Sequence, residues 1–593
     1  MSDSRGEVSQ RFWRQALNGR LDNTEIYSQQ QYVLNTYILP LLPREGRLLD
    51  LGCGDGELTQ VLAKACREAL GVDLSPHLIE QAGKRQVKGL RFVQGDVTGL
   101  EIEGRYERVA SMGLLACLIE PAVFTQAVNT LVQALQPGGY LVLEDWLMLD
   151  GAAEHYHCDA EYETIYRQEA QYLQAFTHHG LRLVQRFVLA EGTQGQARVL
   201  YLLHRPASAE AAAPVTAGTK LSVAVFYQLP ASWGNVSSVW AALCKDESIH
   251  TTVVLLPFLH VDYGWSRQDS QRHLDALGVP YVYWDELDPD TAHFDVALFT
   301  SPYDATRPLP YQFAEVSRRV AFTAYIPYGL EVGGGEANMA MQFGQPAEMY
   351  ASAVYVRSQG AKALFGSHCP TGDSHVVVSG HPRMDGLVDL ESFPVDPHLL
   401  KQIGERRAVL WNAHFSFDAD LWSTFDRLGM DIVSAFAARK DLVLLFRPHP
   451  LLWRKLINLG LLDAEGVVAM RRELTALGVI IDERADHRHA FAASCAMMSD
   501  VGSFLMEYLV TGKPVLYLEN PHGLGLNAEG QAVVQHYDRA ADIAGVEAFL
   551  DGLSQRPAED AQRRKTLIEH FFAGFDGRAG ERVVHHIKTA LAP

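Results

Sequence analysis

No Cys-x-x-Cys pair occurs among the seven cysteines, which stand at positions 53, 66, 117, 158, 244, 369 and 495, and none has zinc-ligand spacing. A disulfide scaffold and a structural zinc module are therefore not expected; the thiols read as reduced residues of a cytoplasmic chain. Long apolar runs are missing too, since none approaches the roughly 18 residues a membrane-spanning helix needs. The opening Met1-Ser-Asp-Ser-Arg-Gly-Glu is too polar for a secretory signal, so export by that route is not expected. Positive charge is scarce: 51 Lys and Arg face 71 Asp and Glu, a net charge of −20. This balance argues against wrapping nucleic acid or lying broadly on an anionic membrane, while peripheral contact at the inner membrane face stays compatible with it.

What is present suits several ordinary cores. The chain has 593 residues, 48% of them hydrophobic, and at about 100–200 residues per domain this length suggests three to five units. The first third is arranged around Leu48-Leu-Asp-Leu-Gly-Cys-Gly-Asp-Gly-Glu-Leu-Thr59. Leu48, Leu49 and Leu51 read as a buried parallel strand, and Gly52, Gly54 and Gly56 turn it into a helix near Glu57. Such a turn lets backbone approach a ligand, because a Cβ would obstruct both the turn and the approach. Leu70-Gly-Val-Asp73 is a second strand ending in an acid about 20 residues on, the distance at which a carboxylate reaches ribose hydroxyls. A third strand ends at Gly95-Asp96-Val97, and Leu135-Gln-Pro-Gly-Gly139 leads into the strand Tyr140–Glu144.

Residues 1–206 resemble a class I S-adenosylmethionine-dependent methyltransferase. The string LDLGCGDGELT is similar to its glycine motif, Asp73 to its ribose-binding acid, Gly95-Asp96-Val97 to its adenine turn, and LQPGGYLVLED to the run into its fifth strand. The resemblance implies a Rossmann-like fold with S-adenosylmethionine held by Asp50, Gly52, Cys53, Gly54, Asp73, Leu74, Asp96, Val97 and Met112. The sequence Ala110-Ser-Met-Gly-Leu-Leu115 lacks the Asn-Pro-Pro-aromatic string that holds an amine, so a hydroxyl of a sugar or related small molecule is the expected methyl acceptor.

Residues 9–43 carry apolar positions at helical spacing and suggest lid helices. His155-Tyr-His-Cys-Asp159 alternates like metal ligands but reads as a polar loop on the pocket side, where His155 or His157 could face the acceptor. Tyr162–His179 is expected to be helical, and 181–188 with 198–204 to close the sheet as an antiparallel pair. Residues 207–219, rich in Ala, Pro and small polar residues, read as a linker. Strands are then expected at 221–226, 252–256, 279–283, 295–299 and 319–323, and again at 408–412, 442–446, 479–482, 496–499 and 514–518. Two Rossmann-like lobes, 220–395 and 396–593, give a GT-B arrangement, with helices between Ala558 and Leu591 crossing back. Asp288-Pro-Asp290 reads as a proline turn, not as a metal site, and no metal is expected anywhere.

Three strings are placed on the rim of the later lobe: Gly380-His381-Pro-Arg383, Arg447-Pro-His449-Pro450, and Ser499-Asp500-Val-Gly-Ser503-Phe-Leu-Met-Glu507, followed by Gly512-Lys-Pro514. Ser503 before a short helix suits a phosphate, Arg383 and Arg447 a pyrophosphate, and His449 could donate to a leaving phosphate. Glu507 stands where GT-B proteins hold a donor hydroxyl. Residues 220–575 resemble the CDP-glycerol glycerophosphotransferase family on these three strings. The resemblance implies a nucleotide-activated donor, CDP-glycerol or a nucleotide sugar, bound without metal by Gly380, His381, Arg383, Arg447, His449, Asp500, Ser503 and Glu507. Tyr325-Ile-Pro-Tyr328-Gly329 departs from the family's Trp-His-Gly, which carries the base, and His260 is a substitute. The chain thus reads as a bifunctional transferase of bacterial surface glycan. Alternatives join the methyltransferase to an inactive binding module or to an epimerase acting on a UDP-sugar.

Overall fold

The computed structural model describes the chain except residues 1–5, 17–23, 44–45, 65, 86, 101, 103, 150–152, 159–161, 193–194, 207–219, 261–262, 289–291, 556–560 and 593. The expected linker 207–219, and with it Asp159, Asp262 and Asp290, lies outside the described residues. The chain is α/β throughout, built on three large sheets.

The first sheet contains β1 (Arg47–Leu51), β2 (Glu68–Asp73), β3 (Leu90–Gln94), β4 (Tyr106–Met112) and β5 (Leu135–Met148). It also holds β8 (Arg182–Glu191) and β9 (Gln196–His204), in the order β3-β2-β1-β4-β5-β9-β8. Parallel strands fed by crossover helices are buried on both faces, which is why Leu48, Leu49 and Leu51 of β1 are all buried. β8 and β9 are the antiparallel pair that closes the sheet. Strand order reverses between β1 and β4, the place where open α/β sheets bind ligands.

Two local expectations are corrected here. His155–Cys158 is a strand, β6, paired antiparallel with β7 (Glu163–Tyr166) as a separate hairpin. The stretch Tyr162–His179 is accordingly not one helix, and only Glu169–Thr177 is helical. The hairpin is favoured by cross-strand partners, His155 opposite Tyr166 and His157 opposite Thr164, which the local pattern of either segment does not display. Two helices, Glu7–Gln15 and Thr24–Val33, precede the sheet.

The second sheet is entirely parallel: β10 (Leu221–Tyr227), β11 (Ile249–Leu255), β12 (Tyr281–Tyr283), β13 (Val296–Phe299), β14 (Phe322–Tyr325), β15 (Ala353–Val356) and β16 (Val376–Val378). Its order is β12-β11-β10-β13-β14-β15-β16. The strand expected at 319–323 begins at Phe322 instead, and β15 and β16 were not anticipated. The third sheet, also parallel, orders β17 (Arg407–Asn412), β18 (Leu442–Phe446), β19 (Ile480–Ile481), β20 (Ser494–Ser499), β21 (Val515–Leu518) and β22 (Asp538–Ala540) as β19-β18-β17-β20-β21-β22. The final helices, Ala561–Phe571 and Ala579–Ala590, cross back: Gly580 and Val583 are buried against the first lobe, where Gly580 lies on Ser238.

The front domain rests on the first lobe through the edge of its sheet opposite the glycine loop. Tyr140 Oη donates to Asp285 Oδ2 at 2.9 Å, Arg182 pairs with Asp288 at 2.7 Å, and Gln185 Nε2 donates to the Arg307 carbonyl at 3.4 Å. Asp288 is thus part of an ion pair. Tyr140 and Arg182 sit near the starts of β5 and β8, whereas the glycine loop leaves the end of β1, so the loop's mouth points away from the lobes.

Candidate functional site

At the end of β1 the chain turns through Gly52 (φ 79°) and Gly54 (φ 56°), conformations that an L side chain rarely adopts. A Cβ on Gly52 would come within 2.9 Å of Leu114 Cβ, so the loops after β1 and β4 close on each other there. At Gly54 nothing lies within 4 Å of the Cβ position, which leaves a cradle that a side chain would fill. Asp73, at the end of β2, faces this turn. Its Oδ2 accepts from Gly54 N and its Oδ1 from Ser75 N, each at 2.9 Å, while burial pushes its carboxyl up. Asp50 accepts from Thr59 Oγ1 at 2.6 Å and keeps Oδ1 buried without a partner. Its burial raises the carboxyl to about 6. Asp96 Oδ1 accepts from the amide and hydroxyl of Thr98, fixing the turn beside buried Val97, and Leu74 and Met112 end their strands on the same edge. The Cys53 thiol is buried and its pKa pushed well up, so it stays protonated and inert.

Beyond β4 and β5 the edge becomes charged and aromatic. Glu144, fully buried, pairs with Arg198 and accepts from Gln30 Nε2 at 2.6 Å, while Gln30 Oε1 is buried without a partner. Trp146, two residues on and on the same face, stacks on Tyr166 with centroids 6.0 Å apart, and His155 lies 5.7 Å from that tyrosine. His157 is exposed at the far end of β6. Asp145 points to the opposite face, where it accepts from the amides of Leu115 and Ala116 and from Tyr172 Oη.

In the two lobes the Gly-His-Pro-Arg string follows β16, so it belongs to the edge of the first lobe and not to the later one. It reaches across. Arg383 Nε donates to Glu507 Oε2 at 2.9 Å, and Arg383 Nη1 donates to Asn235 Oδ1 at 3.1 Å. Asn235 Nδ2 donates to the Tyr328 carbonyl at 3.0 Å. His487 Nε2 lies 2.9 Å from Glu507 Oε2, and Glu507 Oε1 is buried with no partner. Burial pushes the Glu507 carboxyl up, but the charges and hydrogen bonds of Arg383 and His487 together outweigh it and hold it down at about 2. Ser503 Oγ accepts from Leu330 N at 3.0 Å, which ties the serine string to the segment standing in for Trp-His-Gly. The helix after it is short, Phe504–Glu507, continued as a 3₁₀ turn to Thr511.

Gly380 has φ 77°, and a Cβ there would meet the Ala573 carbonyl at 2.6 Å, so the final helices set this turn. His381 Nε2 donates to the Pro327 carbonyl at 2.9 Å and its Nδ1 accepts from Arg383 N at 3.2 Å, which defines a neutral Nε2–H tautomer. Burial lowers its pKa to about 4. Imidazole ¹⁵N spectra of the full chain are therefore expected to show His381 as the Nε2–H tautomer with no protonation until the pH falls below 5. A charged ring at pH 6 would contradict this geometry.

The other two strings form a second group. Arg447 Nη1 donates to Asp482 Oδ2 and Nη2 to the Arg484 carbonyl, each at 2.7 Å, so the expected pyrophosphate cation is already paired. Asp500 is buried and accepts from His414 N, Thr424 N and Thr424 Oγ1, so it orders the loop after β17 instead of facing a ligand. Lys513 Nζ donates to the carbonyls of Phe491 and Ala492. His449 is partly exposed at the end of β18, and His260 lies exposed on the loop after β11.

Residues 48–139 match the methyltransferase-domain family. The front unit is a methyltransferase domain. A trans-aconitate 2-methyltransferase from Deinococcus radiodurans is 35% identical over 100 residues, covering 16% of this chain and 37% of that protein. A dTDP-3-amino-3,4,6-trideoxy-alpha-D-glucopyranose N,N-dimethyltransferase from Streptomyces venezuelae is 29% identical over 105 residues, covering 18% and 44%. The chain spans about two-fifths of the length of such curated relatives. Among solved structures, the N-methyltransferase NodS from Bradyrhizobium japonicum WM9 with S-adenosyl-L-homocysteine is 19% identical at a TM-score of 0.27, covering 34% of this chain and 97% of that one. A UDP-N-acetylglucosamine 2-epimerase is 15% identical at a TM-score of 0.44, covering 63% and 96%. Both scores lie below the similarity at which a function carries over.

S-adenosylmethionine is the cofactor that the methyltransferase-domain match implies. The residues fit it: an open cradle at Gly54, a carboxylate at Asp73 and an unsatisfied buried oxygen on Asp50 lie on one strand edge. Three participants escaped the sequence reading. Asn235 and His487 belong to no recognisable string, and Gln30 sits on a helix whose register over β5 no local pattern reveals. For Asn235 a usable signal existed, since an Asn that is fully buried in a Trp-Gly-Asn turn needs partners for its amide.

Proposed function

We propose that this chain is a bifunctional transferase of bacterial surface-glycan synthesis. The methyltransferase domain methylates a hydroxyl of a sugar or related small molecule. The two lobes transfer glycerophosphate or a sugar from a nucleotide-activated donor, in the cytoplasm or at the inner face of the membrane. The observation that carries the reading is the coexistence of two separate polar groupings at strand ends, one on Gly54 and Asp73, the other on Arg383 and a Glu507 with an unpaired buried oxygen.

When bound, S-adenosylmethionine supplies a methyl group already activated by its sulfonium, so the domain's own work is positioning. Glu144 is locked by Arg198 and Gln30 and is unavailable as a base. The Trp146–Tyr166–His155 wall suits the apolar face of a ring, with His155, not the remote His157, beside the acceptor. In the cleft, Glu507 Oε1 would take a donor hydroxyl while Arg383 holds the carboxylate ionised.

A second reading, a nucleotide-binding module without transfer activity, is favoured by Tyr328. It stands where the resembling family has its histidine base and hydrogen-bonds Tyr303 at 2.9 Å, and a phenol, protonated at neutral pH, does not replace an imidazole as a base. Incubating the full chain with CDP-glycerol or UDP-sugars and glycan acceptors separates the readings. Acceptor-dependent release of CMP from CDP-glycerol, as glycerophosphate passes to the acceptor hydroxyl, or of UDP from a UDP-sugar, as the sugar passes, is expected. Altered UDP-sugar without acceptor would indicate an epimerase, and an unchanged donor a binding module. The methyl half is checked by transfer of labelled methyl to a sugar acceptor, and its failure with every hydroxyl acceptor would overturn that half.

A further inference from the structure

The third sheet has its own reversal of strand order, between β17 and β20, and there a residue outside the motif strings joins Asp500 and His449. β17 ends in Asn412 and continues through Ala413 into His414, while β20 continues into Asp500. Asp500 Oδ2 accepts from His414 N at 2.9 Å and so fixes the backbone that carries the ring. His414 Nδ1 accepts from Ser416 N at 3.1 Å, and His449 Nδ1 accepts from Leu451 N, also at 3.1 Å. A neutral imidazole whose Nδ1 lone pair is engaged must carry its proton on Nε2. Each ring therefore offers a donor, and among the described residues neither Nε2 has a hydrogen-bond partner. The two rings lie 5.3 Å apart, and both pack on Phe415, at 4.5 and 4.4 Å, which restrains their orientation.

Resting on the nucleotide-donor reading above, we propose that His414 and His449 form an uncharged two-donor clamp for the diphosphate of the nucleotide-activated donor. Arg447, the obvious cation on this edge, is already paired with Asp482 and the Arg484 carbonyl. Neutral N–H groups aimed at anionic oxygens make strong hydrogen bonds without carrying a buried positive charge in the empty state. Partial burial keeps both imidazoles uncharged, lowering His449 to about 4 and His414 well below its ordinary value. His414 is the new member: no string in the sequence contains it.

The test is titration calorimetry on the full chain with UDP, CDP and the nucleosides uridine and cytidine. His414→Asn keeps an acceptor for Ser416 N at the Nδ1 position and removes the distal N–H, whereas His414→Gln returns an amide near the Nε2 position. For whichever diphosphate the wild type binds, H414N is expected to weaken affinity by about ten- to a hundredfold, the loss of one hydrogen bond to a charged group. Nucleoside binding is expected to stay unchanged, and H414Q to recover most of the loss. A thermal melt and far-UV circular dichroism of the same sample report whether the variant is folded, and H449N carries the same expectation if H414N is not. Diphosphate affinity at the wild-type level in the Asn variant, or equal losses for diphosphate and nucleoside, would overturn the clamp while leaving the nucleotide reading intact. A wild type that binds neither UDP nor CDP would overturn the nucleotide reading, and the clamp with it.

Discussion

Gly54→Val is expected to abolish S-adenosylmethionine binding, weakening it by at least about a hundredfold, while the thermal midpoint of the chain falls by only a few degrees. The two effects separate because the added side chain meets nothing inside the protein: no atom lies within 4 Å of its Cβ position. The folded state bears only the cost of a left-handed backbone at φ 56°, about 1–2 kcal/mol for a residue with a Cβ. The cofactor bears the rest, since the valine methyls occupy the space against which it must lie. Gly56→Ala supplies the contrast. There a Cβ would sit 2.5 Å from Phe92 Cζ, so this substitution should lower stability first. Calorimetry with S-adenosylmethionine and S-adenosylhomocysteine, beside thermal melts of both variants, checks the pair. Wild-type affinity in the valine variant would move the cofactor away from the loop.

The difference between these glycines was not legible in the sequence, although the loop itself was. Gly52, Gly54, Gly56 and Asp73 lie within 22 residues, and their roles follow from local geometry: a strand, a turn, and an acid at the next strand end. Which glycine touches protein and which touches open space depends on Phe92, two strands away, and on Leu114, after the neighbouring β4. The same distinction separates the later strings. Arg383 was read as a charge for a pyrophosphate on the later lobe, but its position after β16 puts it on the first lobe's edge, and it arrives at Glu507 from across the junction. Arg447 carries an equally strong motif, yet Asp482, on the strand beside it, claims its guanidinium. A sequence string specifies which groups are available, and the strand order decides which of them still have a free face. The β6–β7 hairpin was missed for a related reason: Tyr166 and Thr164 settle that His155 and His157 form a strand, and neither is adjacent in the chain.

The Arg383–Glu507 pair is where loss of one partner should cost most. Glu507 is fully buried and Arg383 nearly so, with side chains 0% and 13% exposed. Arg383→Ala leaves a carboxylate with one neutral-leaning neighbour, since burial lowers His487. Breaking such a pair from one side is expected to destabilise the chain by about 3–5 kcal/mol at pH 7. Glu507→Gln keeps the shape, and the stranded guanidinium retains some water, so a smaller loss is expected. The sign of the pH dependence distinguishes a charge effect from lost packing. In the wild type the carboxyl is held at about 2, below its ordinary 4.5, so its contribution is full above pH 4.5 and is lost as the pH falls toward 2. Without Arg383 only His487 still opposes burial, and the carboxyl moves up. The variant's deficit should then be largest near neutrality and shrink as the pH falls and Glu507 takes up a proton. Urea unfolding of wild type, R383A, E507Q and the double variant at pH 7 and pH 5 measures this, with a coupling between the two sites that narrows at the lower pH. A deficit that is the same at both values would mean that Arg383 serves by its packing alone, and that Glu507 is not held as an ionised acceptor across the lobe junction.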